Sequence, residues 1–253
     1  MKSIYFIAAL SFSIASCSSS RDDSTIPSGD PSENESSFAT AADQDVCDDL
    51  KSFVPKGWKI IKQPTGDLNK DGIEDVAMVI QKTDAANIKK ENGMTIDKNS
   101  RTLLILFGKA TKGCYELNTE SKTFILAHED VIMDDPFEGI EIKNGTLKIS
   151  FKDFRSMGSW ETSQSSYIWR FQDGLFKLIG ANDSSFHRAD GDATDLSINF
   201  STNKYSLTFY NMFEEEDESE EEVIWKKLNV KTLKTFETFS QPWTWTINDE
   251  VHI

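Results

Sequence analysis

Gly139 to Phe151 reads GIEIKNGTLKISF, with apolar Ile140, Ile142, Leu147, Ile149 and Phe151 alternating with polar residues on either side of Asn144-Gly145. A period of two puts one class of side chain on each face of an extended chain, and Asn-Gly supplies the positive-φ turn that joins two such arms. This stretch therefore predicts strands over Gly139–Ile142 and Thr146–Phe151. The same device recurs downstream: Tyr167–Phe171 and Leu175–Gly180 flank Gln172-Asp173-Gly174, and Asp195–Phe200 and Tyr205–Tyr210 flank Thr202-Asn203-Lys204. Three hairpins in series predict an antiparallel meander in which neighbours in sequence pair in space. Upstream, strands are expected at Trp58–Lys62, Asp75–Gln81, Arg101–Phe107, Gly113–Leu117 and Phe124–Ala127. A short helix is expected over Asp45–Phe53 before Pro55, capped by Asp43 or Asp45. Asp84 to Ser100 is polar without alternation and reads as a long excursion. Trp243-Thr244-Trp245 reads as a last strand or a frayed tail. The expected fold class is all-β, a partly open meander of propeller-like or sandwich-like form.

Composition agrees with a packed domain. The 253 residues are 38% hydrophobic and include 17 Phe, 6 Trp and 5 Tyr, which excludes a wholly disordered or polytopic membrane chain. A net charge of -15 repels phosphate backbones, so nucleic acid is not an expected partner. Glu214 to Glu222 reads EEEDESEEE, eight acidic residues of nine, and is expected to be a solvated hairpin tip.

The N-terminus carries an address. Met1, Lys2 and Ser3 precede the apolar run Ile4–Ile14, too short to span a bilayer and suited to a signal-peptide core over residues 1–16. The run closes on Ile14-Ala15-Ser16-Cys17, which resembles the lipobox of bacterial lipoproteins. That resemblance implies acylation of Cys17 and a membrane partner through the lipid. Residues 17–43 are rich in Ser, Asp, Glu, Pro and Gly and are expected to be a disordered tether, leaving 44–253 as one β-rich domain. Asp22 and Asp23 are similar to the export signals of surface lipoproteins, so the expected location is the outer membrane of a bacterial envelope, facing either the periplasm or the exterior. With Cys17 assigned to lipid, the remaining cysteines of the three are Cys47 and Cys114. In an oxidising compartment they are expected to pair, the alternative being two buried thiols.

One motif has defined metal chemistry. Gly66 to Asp75 reads GDLNKDGIED and runs straight into the apolar stretch Val76–Ile80. Ca²⁺ wants six to eight hard oxygens. Alternation brings Asp67, Asn69 and Asp71 inward, Gly72 permits a sharp turn, the Ile73 carbonyl adds an oxygen and Asp75 closes the set. Position 12 holds Met78 rather than a bidentate Glu, so the loop is not an EF-hand. It resembles the calcium loop of FG-GAP or VCBS-type repeats, the integrin α-chain class, in a single copy. Together with Asp134-Asp135-Pro136-Phe137-Glu138-Gly139-Ile140, Gly158-Ser159-Trp160 and Ser185-Phe186-His187-Arg188, it is similar to a group of bacterial envelope proteins with one such loop and a strand meander. That likeness spans Gly57 to Phe239 and implies structural calcium with no catalytic residue.

Nucleophile and metalloprotease motifs are missing from the sequence. His128, His187 and His252 are its only histidines and stand in no H-E-x-x-H or G-x-S-x-G context. Carboxylates among Asp134, Asp135 and Glu138 offer a pair for glycoside hydrolysis. Phe137, Trp160 and Phe186 are candidates for a sugar or peptide surface, or else close the ends of the β core. The leading expectation is a non-enzymatic binding or structural module whose partner is a protein or a glycan. The alternatives are an acidic-site hydrolase and a toxin-neutralising, immunity-type protein.

Overall fold

Fourteen strands and one turn of 3-10 helix account for the ordered backbone in a computed structural model, which describes residues 47–91, 93–214 and 222–253. The signal peptide, Cys17, the tether and residues 215–221 of the acidic run lie outside them. The strands are β1 Trp58–Lys62, β2 Thr65–Gly66, β3 Asp75–Lys82, β4 Ile88–Glu91, β5 Met94–Asp97, β6 Arg101–Gly108, β7 Tyr115–Ser121, β8 Phe137–Lys143, β9 Thr146–Phe154, β10 Glu161–Gln172, β11 Leu175–His187, β12 Asp192–Asn199, β13 Lys204–Asn211 and β14 Glu222–Lys227. The fold is all-β, and every strand pairing is antiparallel.

Two sheets carry the architecture. The first runs β1-β3-β6-β7, with β2 added to β3; the second is a seven-stranded meander from β14 back to β8 in strict sequence order. The three hairpins expected from the period-two pattern are the β8–β9, β10–β11 and β12–β13 pairs, and Asn144, Asp173 and Asn203 each take φ 52° at their turns. Asn and Asp tolerate that left-handed conformation because their short side chains bond locally.

Burial explains two kinds of strand sequence. In the seven-stranded sheet one face is packed, so Leu147, Ile149 and Phe151 alternate with partly exposed Lys148, Ser150 and Lys152. In β3 and β6 both faces are covered, and the sequences run as near-continuous apolar stretches. Ala77, Val79, Leu103 and Ile105 join the main core with Tyr167, Trp169, Leu178 and Ile198 of the second sheet. Val76, Met78, Ile80, Leu104 and Leu106 face the other way, under Leu50, Phe53, Val54, Trp58 and Tyr115. Cys47 and Cys114 pin that cover in place: they are disulfide-bonded with Cα atoms 4.9 Å apart, and Tyr115 N donates to Asp48 O at 2.9 Å alongside. A bridge across 67 positions constrains the unfolded chain by about 4 kcal/mol on loop-closure entropy.

Several expectations are corrected. The described part of the expected Asp45–Phe53 helix, from Cys47 on, is not helical: Asp49 Oδ1 accepts from Lys51 N and Ser52 N, closing a turn instead. The capping positions Asp43 and Asp45 lie outside the described residues. Phe124–Ala127 is no strand, although Phe124 and Ile125 are buried. Their burial comes from side chains dropped into the core from a loop. The Gly113–Leu117 expectation shifts to Tyr115–Ser121, because Gly113 at φ +84° and a Cys114 N to Thr111 O bond make a turn first. Asp84–Ser100 contains the β4–β5 hairpin, whose exposed Ile88–Glu91 arm carries no inside-outside pattern. The Trp243–Trp245 segment is neither a full strand nor frayed: Trp245 and Ile253 exchange backbone bonds at 2.8 and 3.0 Å, and Val251 and Ile253 are buried. This returning C-terminus closes the inner face of the second sheet, where Trp243 N donates to Tyr167 Oη and Trp243 Nε1 donates to Ser165 Oγ. Among the described residues no helix is long and apolar enough to cross a membrane.

Candidate functional site

The acidic loop folds around its own backbone. Asp67 Oδ1 accepts from Lys70 N at 2.6 Å and Oδ2 from Gly72 N at 3.0 Å. Asn69 Oδ1 accepts from Asp71 N, and Asp71 Oδ1 accepts from Ile73 N at 2.7 Å. Lys70 at φ 67° and Gly72 at φ 83° supply the two left-handed residues that bend the chain. Just before them Leu68, wholly buried, inserts into the main core. The loop is therefore a staple of the fold as well as an acidic surface feature.

Asp75 differs from the other carboxylates. Its residue is fully buried, and its two oxygens receive three backbone amides: Leu68 N at 2.8 Å, Asn69 N at 3.2 Å and Gly108 N at 3.0 Å. Gly108 belongs there because a Cβ would sit 2.5 Å from Glu74 O. Burial raises the Asp75 pKa, the three amides oppose the rise, and the charge of Asp71 adds to it. Asp75, expected from spacing as the closing metal ligand, is placed as the anchor joining the loop to the end of β6. Among the described residues no three His, Cys, Asp or Glu side chains are grouped as a metal-holding cluster. The oxygen chemistry still suits a hard cation at the remaining positions. Each carboxylate oxygen of Asp67 and Asp71 has one partner and, with two lone pairs, can take a second.

The carboxylates considered for hydrolysis are dispersed. Asp134 meets Lys152 Nζ at 3.0 Å, and Glu138 accepts from Gln164 Nε2 at 3.3 Å. Asp135 receives both arms of the Arg101 guanidinium, at 2.7 and 2.6 Å. Arg101 is nearly buried, also donates to Leu126 O at 2.8 Å and lies 5.8 Å from the Phe137 ring centre. Burial alone would raise the Asp135 pKa; the Arg101 hydrogen bonds and charge outweigh it and hold the carboxyl below its ordinary value. A general acid needs the opposite shift. The three histidines are also tied down. His128 Nε2 lies 2.7 Å from Met133 O, His187 Nδ1 lies 2.7 Å from Asp190, and His252 contacts Thr246 and the Trp243 carbonyl.

A lowered folded-state pKa contributes stability that is full above the unfolded value, about 3.9, and is lost as pH falls through the folded value. Asp135→Asn should therefore flatten the acid limb of the stability curve. At neutral pH it should cost about 2 kcal/mol, a buried-pair figure reduced because the Asp135 side chain is 44% exposed. Urea midpoints of both forms at pH 7 and pH 3 check this, with the gap expected to narrow in acid.

Of the aromatic candidates, Phe137 is a correction: it is 9% exposed and packs on Phe151 in the core, because β8 turns it inward. Trp160 is 63% exposed in the loop before β10, with the Arg188 guanidinium 5.9 Å from its ring centre. Phe186 lies on β11, in a feature that the sequence reading missed.

That feature is the outer face of the seven-stranded sheet. Strand register lines up Ser150, Ser166, Asn182, Ser197 and Ser206 as one cross-strand row and Lys152, Gln164, Ser184, Asp195 and Thr208 as the next. A third row, toward the sheet end, holds Phe154, Thr162, Phe186, Ala193 and Tyr210. Hydrogen bonds run along the rows: Ser197 Oγ donates to Asn182 Oδ1 at 2.9 Å, Asn182 Nδ2 to Ser166 Oγ at 3.3 Å, and Ser184 Oγ and Tyr210 Oη both to Asp195 Oδ1. A polar depression of about 440 Å³ lies over the first two rows, and a more apolar cleft of about 320 Å³ continues it between Phe154, Phe186, Tyr210 and Met212. The available signal was the polar continuation of two strands, Glu161–Ser166 and Asn182–Ser185, which lacks the apolar alternation that marks a half-buried strand.

No family model, curated protein or solved structure matches the chain.

Proposed function

We propose that this protein is a non-enzymatic binding module of a bacterial cell envelope, tethered to a membrane by lipid on Cys17, with its working surface on the outer face of the seven-stranded sheet. The observation that carries the reading is the contrast between the two faces of that sheet. The inner face is sealed by aromatic core and the C-terminal return, whereas the outer face is an open trough of hydroxyls, amides and carboxylates. A stable sheet needs only one packed face. The dispersed Asp134, Asp135 and Glu138 supply no acid-base pair to turn this surface into a hydrolase, and each has a partner of its own.

Co-sedimentation of the purified protein with cell-envelope material tests the reading. Retention is expected, together with loss of retention when Ser197, exposed in the middle of the trough, is changed to Arg. Release of soluble products from the same material would instead favour a hydrolase.

Calcium enters this reading as a stiffener of the loop, held by Asp67, Asn69, Asp71 and the Ile73 carbonyl, with Asp75 organising the backbone around it. A bound ion supplies positive charge between carboxylates that otherwise repel. The ligand-linkage relation gives about 2.7 kcal/mol at a hundredfold excess over Kd. For a domain of this size that is a rise in Tm of about 5–10 °C. Melting curves in EDTA and in millimolar calcium check it. Asp71→Ala should remove the increment, and identical curves for the unsubstituted protein would exclude the ion.

A further inference from the structure

We infer that the outer face of the seven-stranded sheet recognises an uncharged glycan, with Phe186 and Tyr210 as its apolar platform and the Asn182–Ser197 and Ser184–Asp195 rows as its hydrogen-bonding floor. This rests on the binding-module reading above and names the ligand class for it.

The charge of the face selects the class. The two lysines that line the trough and its apolar cleft already have carboxylate partners, Lys148 with Glu141 at 3.3 Å and Lys152 with Asp134 at 3.0 Å; Lys204 and Lys227 stand opposite each other at the β13–β14 edge, outside both. The trough itself adds Glu138 and Asp195, and the whole chain carries -15. A polyanion finds no unpaired cation lining the trough and meets a repulsive field. The polar floor argues against a protein partner as well. Protein hot spots are built on Trp, Tyr and Arg in desolvated pockets near the centre of the patch. Here the two central rows contain no aromatic and no Arg side chain over the five strands β9 to β13; the aromatics stand at the margins, Phe154, Phe186 and Tyr210 at one end and Trp225 beside Ser206 on the edge strand β14.

What the rows present is a sequence of short hydroxyl and amide groups, each both donor and acceptor, repeated at strand spacing. Five strands at about 4.8 Å centre to centre make a floor about 19 Å across, long enough for a short oligosaccharide to lie over the strands. Sugar hydroxyls alternate donor and acceptor in the same way, and sugar C–H faces pack on rings. Asn182 has both its amide groups engaged along the row, and Asp195 Oδ1 takes two hydroxyls, so the floor is held in one arrangement before a ligand arrives. Pre-ordering of this kind lowers the entropic cost of binding. Phe154 does not join the platform, because Lys152 and Arg188 already lie over its ring at 4.9 and 4.7 Å.

An array of immobilised neutral and uronate- or sulfate-bearing oligosaccharides, probed with the full-length protein, tests the inference. Retention on at least one neutral oligosaccharide is expected. It should fall about tenfold in the Phe186→Ala/Tyr210→Ala double variant, as loss of two ring contacts requires. It should also fall in Ser197→Arg, which fills the trough without touching the platform; unchanged melting curves show that both variants fold. No retention on any neutral oligosaccharide, retention on anionic ones only, or equal retention by both variants would overturn it. Mass spectrometry of the same spots separates the two claims. Bound and shortened oligosaccharides would leave the face in place and refute the non-enzymatic reading, whereas envelope binding without any array signal would refute the glycan and leave the binding module standing.

Discussion

Replacing Phe124 with alanine is expected to cost about 4 kcal/mol of stability and to lower Tm by about 8–16 °C. The ring is completely buried and meets five others edge-on, those of Phe151, Tyr167, Trp169, Phe236 and Phe239, at centroid distances of 5.3 to 5.8 Å. Three of these rings come from neighbouring strands of the second sheet, and Phe236 and Phe239 come from the C-terminal return. Phe124 itself arrives on the loop after β7. One side chain therefore joins three parts of the chain distant in sequence. A cavity at that point cannot close by a local shift, because its walls belong to the sheet itself. Met157→Ala, at a residue 64% exposed, is the matched control and should change stability by less than about 0.5 kcal/mol. Urea unfolding of both variants decides it; a loss below about 1.5 kcal/mol for Phe124→Ala would mean that the aromatic cluster is not the keystone of the core.

The second large effect belongs to Asp75. Asp75→Ala removes the acceptor of three amides and leaves the Leu68, Asn69 and Gly108 N–H groups without it. Unpaired buried donors cost about 1–3 kcal/mol each. Some of that is offset because a buried carboxylate no longer has to be desolvated, so the net loss is expected at about 4 kcal/mol. Asp75→Asn should also destabilise, by about 2 kcal/mol, since its amide nitrogen must face one set of N–H donors. Native-state hydrogen exchange gives the local signature: the amides of Leu68 and Gly108 should lose protection in both variants, while those of β10 and β11 follow only the global change. Retained protection at Gly108 in Asp75→Ala would remove the anchoring role.

The sequence made half of this visible. Hairpins with one packed face declared themselves through Ile140, Ile142, Leu147 and Ile149 around Asn144-Gly145, because alternation and turn chemistry are local properties. β10 and β11 were legible only over their inner halves, Tyr167–Phe171 and Leu175–Gly180; their extensions to Glu161 and His187 are polar on the trough side and carry no apolar period. β14 was hidden by the acidic run preceding it, although Glu222–Lys227 pairs along β13. Phe124 was recognised as apolar but assigned to a strand, because a short apolar run gives the same pattern whether its backbone pairs or its rings simply fill a core. Asp75 illustrates a further limit: spacing can mark a carboxylate as buried beside a loop, but only the fold decides that its oxygens meet amides from β6. The trough was illegible for a related reason. Its residues are ordinary serines, asparagines and glutamines whose alignment exists only after five strands are set in register.

Hydroxyl-radical footprinting of the full-length protein with and without envelope material tests the central claim most directly, since Phe186, Tyr210 and Met212 are reactive reporters at one end of the trough, whereas Met157, in a loop, and Met94, on β5 of the separate β4–β5 hairpin, lie outside it. Protection of the first three, with Met157 and Met94 reacting as in the free protein, is the predicted result. Protection confined to Met157 or Met94, or reactivity of Phe186, Tyr210 and Met212 unchanged by the envelope material, would contradict the assignment of this sheet face as the working surface.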